Sequence, residues 1–193
     1  DLVVSELCLG TMTWGTQNSA EDAFYQIEKS IDAGINFIDT AELYPVNPIS
    51  GATQGESERI LGEWLNKSNY RDELIIATKI AGNGPKHIRN GEGITKKSLF
   101  TAINASLNLL KTDYIDLYQL HWPNRGSYHF RQNWRFDPTS QDKNIVLDHM
   151  NEVLQACDML KKEGKVRAFG LSNESAWGTA QWLRISEEKD LPR

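Results

Sequence analysis

The chain is poor in cysteine, has no long apolar run and carries no excess of basic residues. Two cysteines in 193 residues cannot build a disulfide scaffold. Cys8 on a strand pattern and Cys157 on a helix face stand where a small apolar residue would serve as well, so both are read as packing residues. The four histidines fall outside any His-Glu-x-x-His pattern, neither cysteine has ligand spacing around it, and no metal site is expected. No stretch approaches the roughly 20 apolar residues that cross a bilayer, and no charged leader precedes an apolar signal core. No membrane partner and a cytoplasmic location are therefore expected. A formal net charge of -5 argues against nucleic acid as the main partner, because phosphate binding leaves a basic footprint. It is compatible with binding one anionic cofactor. With 39% hydrophobic and 24% charged residues the composition is that of a globular protein, and a single domain over residues 1–193 is expected to bury about 70% of its unfolded surface.

What the chain does contain is an alternation of short apolar runs and amphipathic stretches, the pattern of a parallel sheet wrapped by helices. Five such units can be read. Strands are expected over about Leu7–Thr11, Asn36–Thr40, Leu74–Lys79, Tyr114–His121 and Val166–Ser172. The helices between them show apolar spacing at Ala23, Ile27 and Ile31, at Ile60, Leu61, Trp64 and Leu65, at Leu99, Ile103, Leu107 and Leu110, and at Met150, Val153, Leu154, Cys157 and Leu160. Ser19 is a good N-cap and Gly34 a stop for the first. A last helix is expected over about Ala176–Lys189, with Trp64 and Trp182 in the core. Loops are read over Asn83–Gly93 and Trp122–Asp148, the latter long, aromatic and polar. Strands two, four and five are nearly apolar on both faces, which favours a (β/α)8 TIM-type barrel over a doubly wound sheet. The rival also needs Gly-x-Gly-x-x-Gly after strand one, and Gly10-Thr11-Met12-Thr13-Trp14-Gly15 lacks that spacing.

Three strand patterns end on titratable groups. Phe37-Ile38-Asp39 delivers a carboxylate with Tyr44 five residues on, Lys79 closes the third strand and His121 the fourth. Taken singly, these are a strand-end cap, a half-buried loop aromatic, a snorkelling lysine and a hydrogen-bonded core histidine. Taken together, in order and in context, they resemble the Asp, Tyr, Lys and His tetrad of the aldo-keto reductases. The resemblance runs from Leu7 to the chain end and includes Gly10-Thr11-Met12, Gly55-Glu56-Ser57-Glu58 and Gly170-Leu171-Ser172-Asn173. The segments Thr11-Met12-Thr13-Trp14-Gly15, Ala41-Glu42-Leu43-Tyr44-Pro45 and Thr53-Gln54-Gly55 most resemble the bacterial Tas-type branch.

The resemblance implies reduction of aldehydes or ketones by hydride from NADP(H). Free phenols ionise only near pH ~10, so an acid of this type needs a cation beside it, and the expectation is Tyr44 as proton donor, Lys79 as the cation, Asp39 holding the ammonium and His121 orienting the carbonyl. It further implies Ser172 and Asn173 at the nicotinamide carboxamide, and Thr11, Met12 and Asp39 near its ribose. Trp14, Leu43 and Trp122 would line a pocket for an apolar or aromatic carbonyl compound. Ser172 and Asn173 also have a plainer reading as caps of the final helix. Barrels of this type typically need about 250 residues, so the chain is expected to be the N-terminal part of one, with five of eight units. Its open edges are expected to be covered by a C-terminal portion or by a second copy. Two other classes stay open: a nucleotide-binding regulatory subunit resembling potassium-channel β subunits, and a shortened inactive member.

Overall fold

A computed structural model describes residues 2–193. Five β-α units follow one another: β1 (Cys8–Gly10) and α1 (Ala20–Asp32), β2 (Phe37–Asp39) and α2 (Glu56–Lys67), β3 (Ile75–Ile80) and α3 (Lys96–Leu110), β4 (Ile115–Leu120) and α4 (Lys143–Lys162), β5 (Val166–Leu171) and α5 (Ala176–Lys189). All neighbouring strands pair in parallel, in the order β1-β2-β3-β4-β5. A doubly wound sheet reverses direction part-way across, whereas a barrel adds each strand beside its predecessor. The sequential order is the arc of a barrel.

Local chemistry fixes where the helices start. Ser19 accepts from the Asp22 amide while Asp22 accepts from the Ser19 amide, a reciprocal cap that satisfies two orphan donors of α1. Thr95 and Ser98 do the same for α3, and Ser175 caps α5 by accepting from Gly178. Helix α4 begins at Lys143, inside the stretch expected to be loop up to Asp148. It opens on the polar residues Lys143 and Asn144, and the Asp142 side chain accepts from the amides of Asn144 and Ile145 while Val146 and Leu147 pack against the core.

Register divides the sheet into two faces. Ile38, Ile76, Thr78, Ile80, Asp116 and Tyr118 point outward and are buried beneath the helices with Leu61, Trp64, Leu99, Ile103, Val153 and Trp182. The inner face carries Phe37, Asp39, Leu117, Gln119, Ala168 and Gly170, all half-buried, with Ile75 and Ala77 buried between them. Cys157 is buried as expected, but Cys8 is exposed. It lies on the first strand, where only one neighbouring strand flanks it. Among the described residues no helix is long and apolar enough to cross a membrane.

At the N-terminal end of the sheet Asp116 is fully buried and closed in by donors. Arg71 Nη2 reaches one oxygen at 2.9 Å, the Ile76 amide reaches the same oxygen at 3.0 Å, and Arg167 Nη1 reaches the other at 2.6 Å. The Arg71 guanidinium also lies 3.8 Å from the centre of the Tyr114 ring. Such a network joins α2–β3, β4 and β5 and leaves no side of the carboxylate open.

Candidate active site

The C-terminal ends of β2, β3 and β4 bring together Asp39, Lys79 and His121, with Tyr44 arriving from the loop after β2. Lys79 is the hub. Its ammonium lies 2.5 Å from Asp39 Oδ2, 2.8 Å from the Thr40 carbonyl and 3.3 Å from the Tyr44 hydroxyl. An ammonium has three donors, and here each has an acceptor. Tyr44 stands edge-on to His121, with ring centres 5.7 Å apart.

The loop that carries Tyr44 is pinned from several sides. Buried Glu42 accepts from the Ala81 amide and from Arg89, whose other Nη donates to the Ala81 carbonyl. Burial raises the Glu42 carboxyl above its ordinary value, opposed by Arg89 and the Ala81 amide. Gln54 donates to the Glu42 carbonyl, and the Ser57 hydroxyl bonds the Thr11 and Trp14 carbonyls, each at 3.0 Å. These bonds join the loops after β1, β2 and β3 into one rim, so the phenol is positioned by a framework rather than by its own loop.

His121 sits on the other side of the phenol. Its imidazole is buried, and its pKa is pushed from 6.5 down to about 3, first by burial and then by the charge of Lys79. A neutral imidazole keeps one donor and one acceptor nitrogen. Its Nδ1 is buried with no partner among the described residues. Asn173 Nδ2 donates to the His121 carbonyl at 2.9 Å and lies 3.0 Å from Ser172 Oγ. The α5 cap is Ser175, so Ser172 and Asn173 are free of that duty and face the cleft.

The cleft has a volume of about 750 Å³, within the range that holds a drug-sized ligand. Met12, Leu43, Tyr44, Lys79, His121, Trp122, Ser172 and Asn173 all line it, together with Phe130 and Arg131 from the loop after β4. Trp122 packs against Phe130 at 5.5 Å and donates to the Asn83 carbonyl. Gly82 lets it do so, since a β-carbon there would fall 2.3 Å from the indole. Trp14 is a correction to the expected substrate lining. It is wholly buried, its indole donates to Gln26 Oε1 of α1 at 2.8 Å, its carbonyl accepts from Ser57 of α2, and it belongs to the core. Thr11 is also enclosed, with its hydroxyl unpartnered among the described residues. A smaller cavity of about 310 Å³, lined by Ile94, Val146, Leu171 and Trp182 among others, holds none of the tetrad.

Sequence reasoning missed Gln119, whose amide Nε2 donates to Asp39 Oδ1 at 3.0 Å. A signal existed, because strand alternation puts residue 119 on the same face as His121. It also missed the ion pair of Arg125 with Glu174, which ties the loop after β4 to the turn after β5. Nothing in the spacing of those two residues announced the contact.

The sheet order and the strand-end constellation define a class: β-α barrel proteins with a cluster of titratable groups at the C-terminal ends of their strands. A sequence profile described as the Aldo/keto reductase family matches residues 6–192, and the chain belongs to that family. It is 42% identical over 195 residues to Protein tas of Escherichia coli, an alignment covering 100% of this chain and 55% of that protein. Similarity to norsolorinic acid reductase stcV of Emericella nidulans is 37% over 203 residues, 98% of this chain and 45% of the relative. An uncharacterized oxidoreductase of Bacillus subtilis, YqkF, is 34% identical over 177 residues, 90% of this chain and 46% of the relative. The chain thus spans about half the length of the curated relatives it matches.

Proposed function

We propose that the chain carries the acid–base half of a reductase that converts aldehydes or ketones to alcohols with NADP(H). The observation that carries this reading is the Lys79 ammonium lying between Asp39 and the Tyr44 hydroxyl in a cleft that His121, Ser172 and Asn173 share. The residues present fit the cofactor's reactive end. Ser172 and Asn173 offer uncharged amide and hydroxyl groups to a carboxamide, Met12 offers an apolar edge to a flat ring, and His121 Nδ1 is an unanswered polar atom at the same cleft. When bound, the nicotinamide supplies the hydride that no side chain can give.

The chain's own groups handle the oxygen. Tyr44 delivers a proton to the carbonyl oxygen as it gains negative charge, and Lys79 stabilises the phenolate left behind with an N–H already aimed at it. Asp39 holds the ammonium in place. Neutral His121 donates to the same oxygen without bringing a second positive charge beside Lys79. Trp122, Leu43 and Phe130 exclude water and favour an apolar or aromatic substrate. The half-buried inner face of the sheet supports a related proposal: further polypeptide, from a longer chain or a second copy, covers it in the working protein.

NADPH oxidation with an aromatic aldehyde tests the reading. Tyr44→Phe is expected to lower kcat by about 10³-fold or more while leaving the melting curve in place. Retained turnover would remove Tyr44 from its role. Tight nucleotide binding without turnover on a broad carbonyl panel would favour a regulatory subunit instead.

A further inference from the structure

We propose that Gln119 is a positioning residue for proton delivery by Tyr44, acting through Asp39 and Lys79; the proposal rests on the reductase reading above. Gln119 lies at an inner position of β4, level with Lys79 on one side and Gly170 on the other. From there its amide crosses over β3 to the end of β2 and donates to Asp39 Oδ1 at 3.0 Å. Ala77, the β3 residue level with Asp39, presents only a methyl group in between. A carboxylate offers acceptors alone, so the NH2 end of the amide must be the one that faces it.

Both oxygens of Asp39 are then held, Oδ2 by Lys79 at 2.5 Å and Oδ1 by Gln119. The three directions of the Lys79 ammonium are likewise taken, by Asp39, the Thr40 carbonyl and the Tyr44 hydroxyl. In a tetrahedral group, fixing two of these directions fixes the third. A carboxylate free to turn about its own axis would release one of them, and the N–H aimed at Tyr44 would lose its aim. Gln119 removes that freedom without adding charge. A cation in its place would compete with Lys79 for the carboxylate, and an anion would repel it. Gly170 completes the arrangement: a β-carbon there would lie 3.3 Å from Gln119 Cγ and 3.2 Å from Leu117 Cδ1, closer than most such contacts. Its bare backbone leaves the glutamine stem its place.

Two measurements on wild type, Gln119→Met and Gln119→Glu test this. The first separates kcat from KM in NADPH-linked reduction of an aromatic aldehyde. The second follows the Lys79 ammonium by ¹⁵N NMR without cofactor, where three fixed acceptors slow its exchange. Gln119→Met, which keeps the shape and removes the donor, is expected to lower kcat about tenfold while KM stays within about twofold. It should also broaden the Lys79 signal, and Gln119→Glu should lower kcat further. A sharp Lys79 signal in Gln119→Met overturns the proposal whatever kcat does, and so does unchanged kcat or a change confined to KM. If the wild-type protein reduces no carbonyl compound, the reductase reading falls by itself. The NMR comparison then still decides whether Gln119 governs Lys79, because it needs no turnover.

Discussion

Asp39 and Asp116 each follow an aromatic residue and an isoleucine, in Phe37-Ile38-Asp39 and Tyr114-Ile115-Asp116, and each ends up paired with a cation in the same sheet. They differ in which end of a strand they occupy and which face they point to. Asp116 lies near the start of β4 on the outer face, sealed by Arg71, Arg167 and the Ile76 amide. Asp39 ends β2 on the inner face, and its cation has a third direction left over for a phenol in an open cleft. The guanidinium pair closes a structure, whereas the single ammonium passes its influence on. In barrels of this kind the N-terminal ends of strands serve stability and the C-terminal ends serve chemistry.

Exchanging the two losses would break that comparison most sharply. Asp116→Ala leaves Arg71 buried without its anion and is expected to cost roughly 3–5 kcal/mol of stability by denaturant unfolding, because an unpaired buried charge keeps its desolvation penalty. Asp39→Ala should instead remove most of the turnover with a smaller shift in the unfolding midpoint. Equal stability losses in the two variants would show that both carboxylates are structural.

A third carboxylate sharpens the point, because Glu58 is fully buried with no cation in contact among the described residues. Its Oε1 accepts from Thr78 Oγ1 at 2.6 Å and its Oε2 has no partner among the described residues. Burial pushes its pKa from 4.5 up to about 7, against the lowering effect of Thr78. The folded state therefore holds this proton more tightly than the unfolded chain does. Its contribution to stability is fully present below about pH 4.5 and is lost as pH rises to about 7. Glu58→Gln should flatten that slope in unfolding experiments run across the interval, and an unchanged slope would deny the shift. The smallest effect is expected from Arg167→Ala. Half of that side chain is exposed, so its bond to Asp116 should be worth under about 1 kcal/mol by the same unfolding measurement.

Much of the framework was legible. Helix α5 spans Ala176–Lys189 as its pattern indicates, and the strands fall inside their expected stretches except β3, which runs on to Ile80, because each element carries its own periodicity and stops. Helix α4 begins ahead of the stretch that Met150 to Leu160 mark, because the Asp142 cap holds its polar first residues, Lys143 and Asn144. Trp14 was placed in the cleft on resemblance, but packing turned it inward against Gln26. The partnership of Glu42 with Arg89 and that of Gln119 with Asp39 join residues 47 and 80 positions apart. No local pattern records such pairings.

The sequence by itself determined the kinds of element, their order and the residue types at each strand end, since hydrophobic period and capping act over a few residues. Only the tertiary structure decided which side chains hold Asp39 and Asp116 in place. That outcome depends on strand register and on which cations the folded sheet brings within bonding distance, and both are set by contacts between segments far apart in the chain.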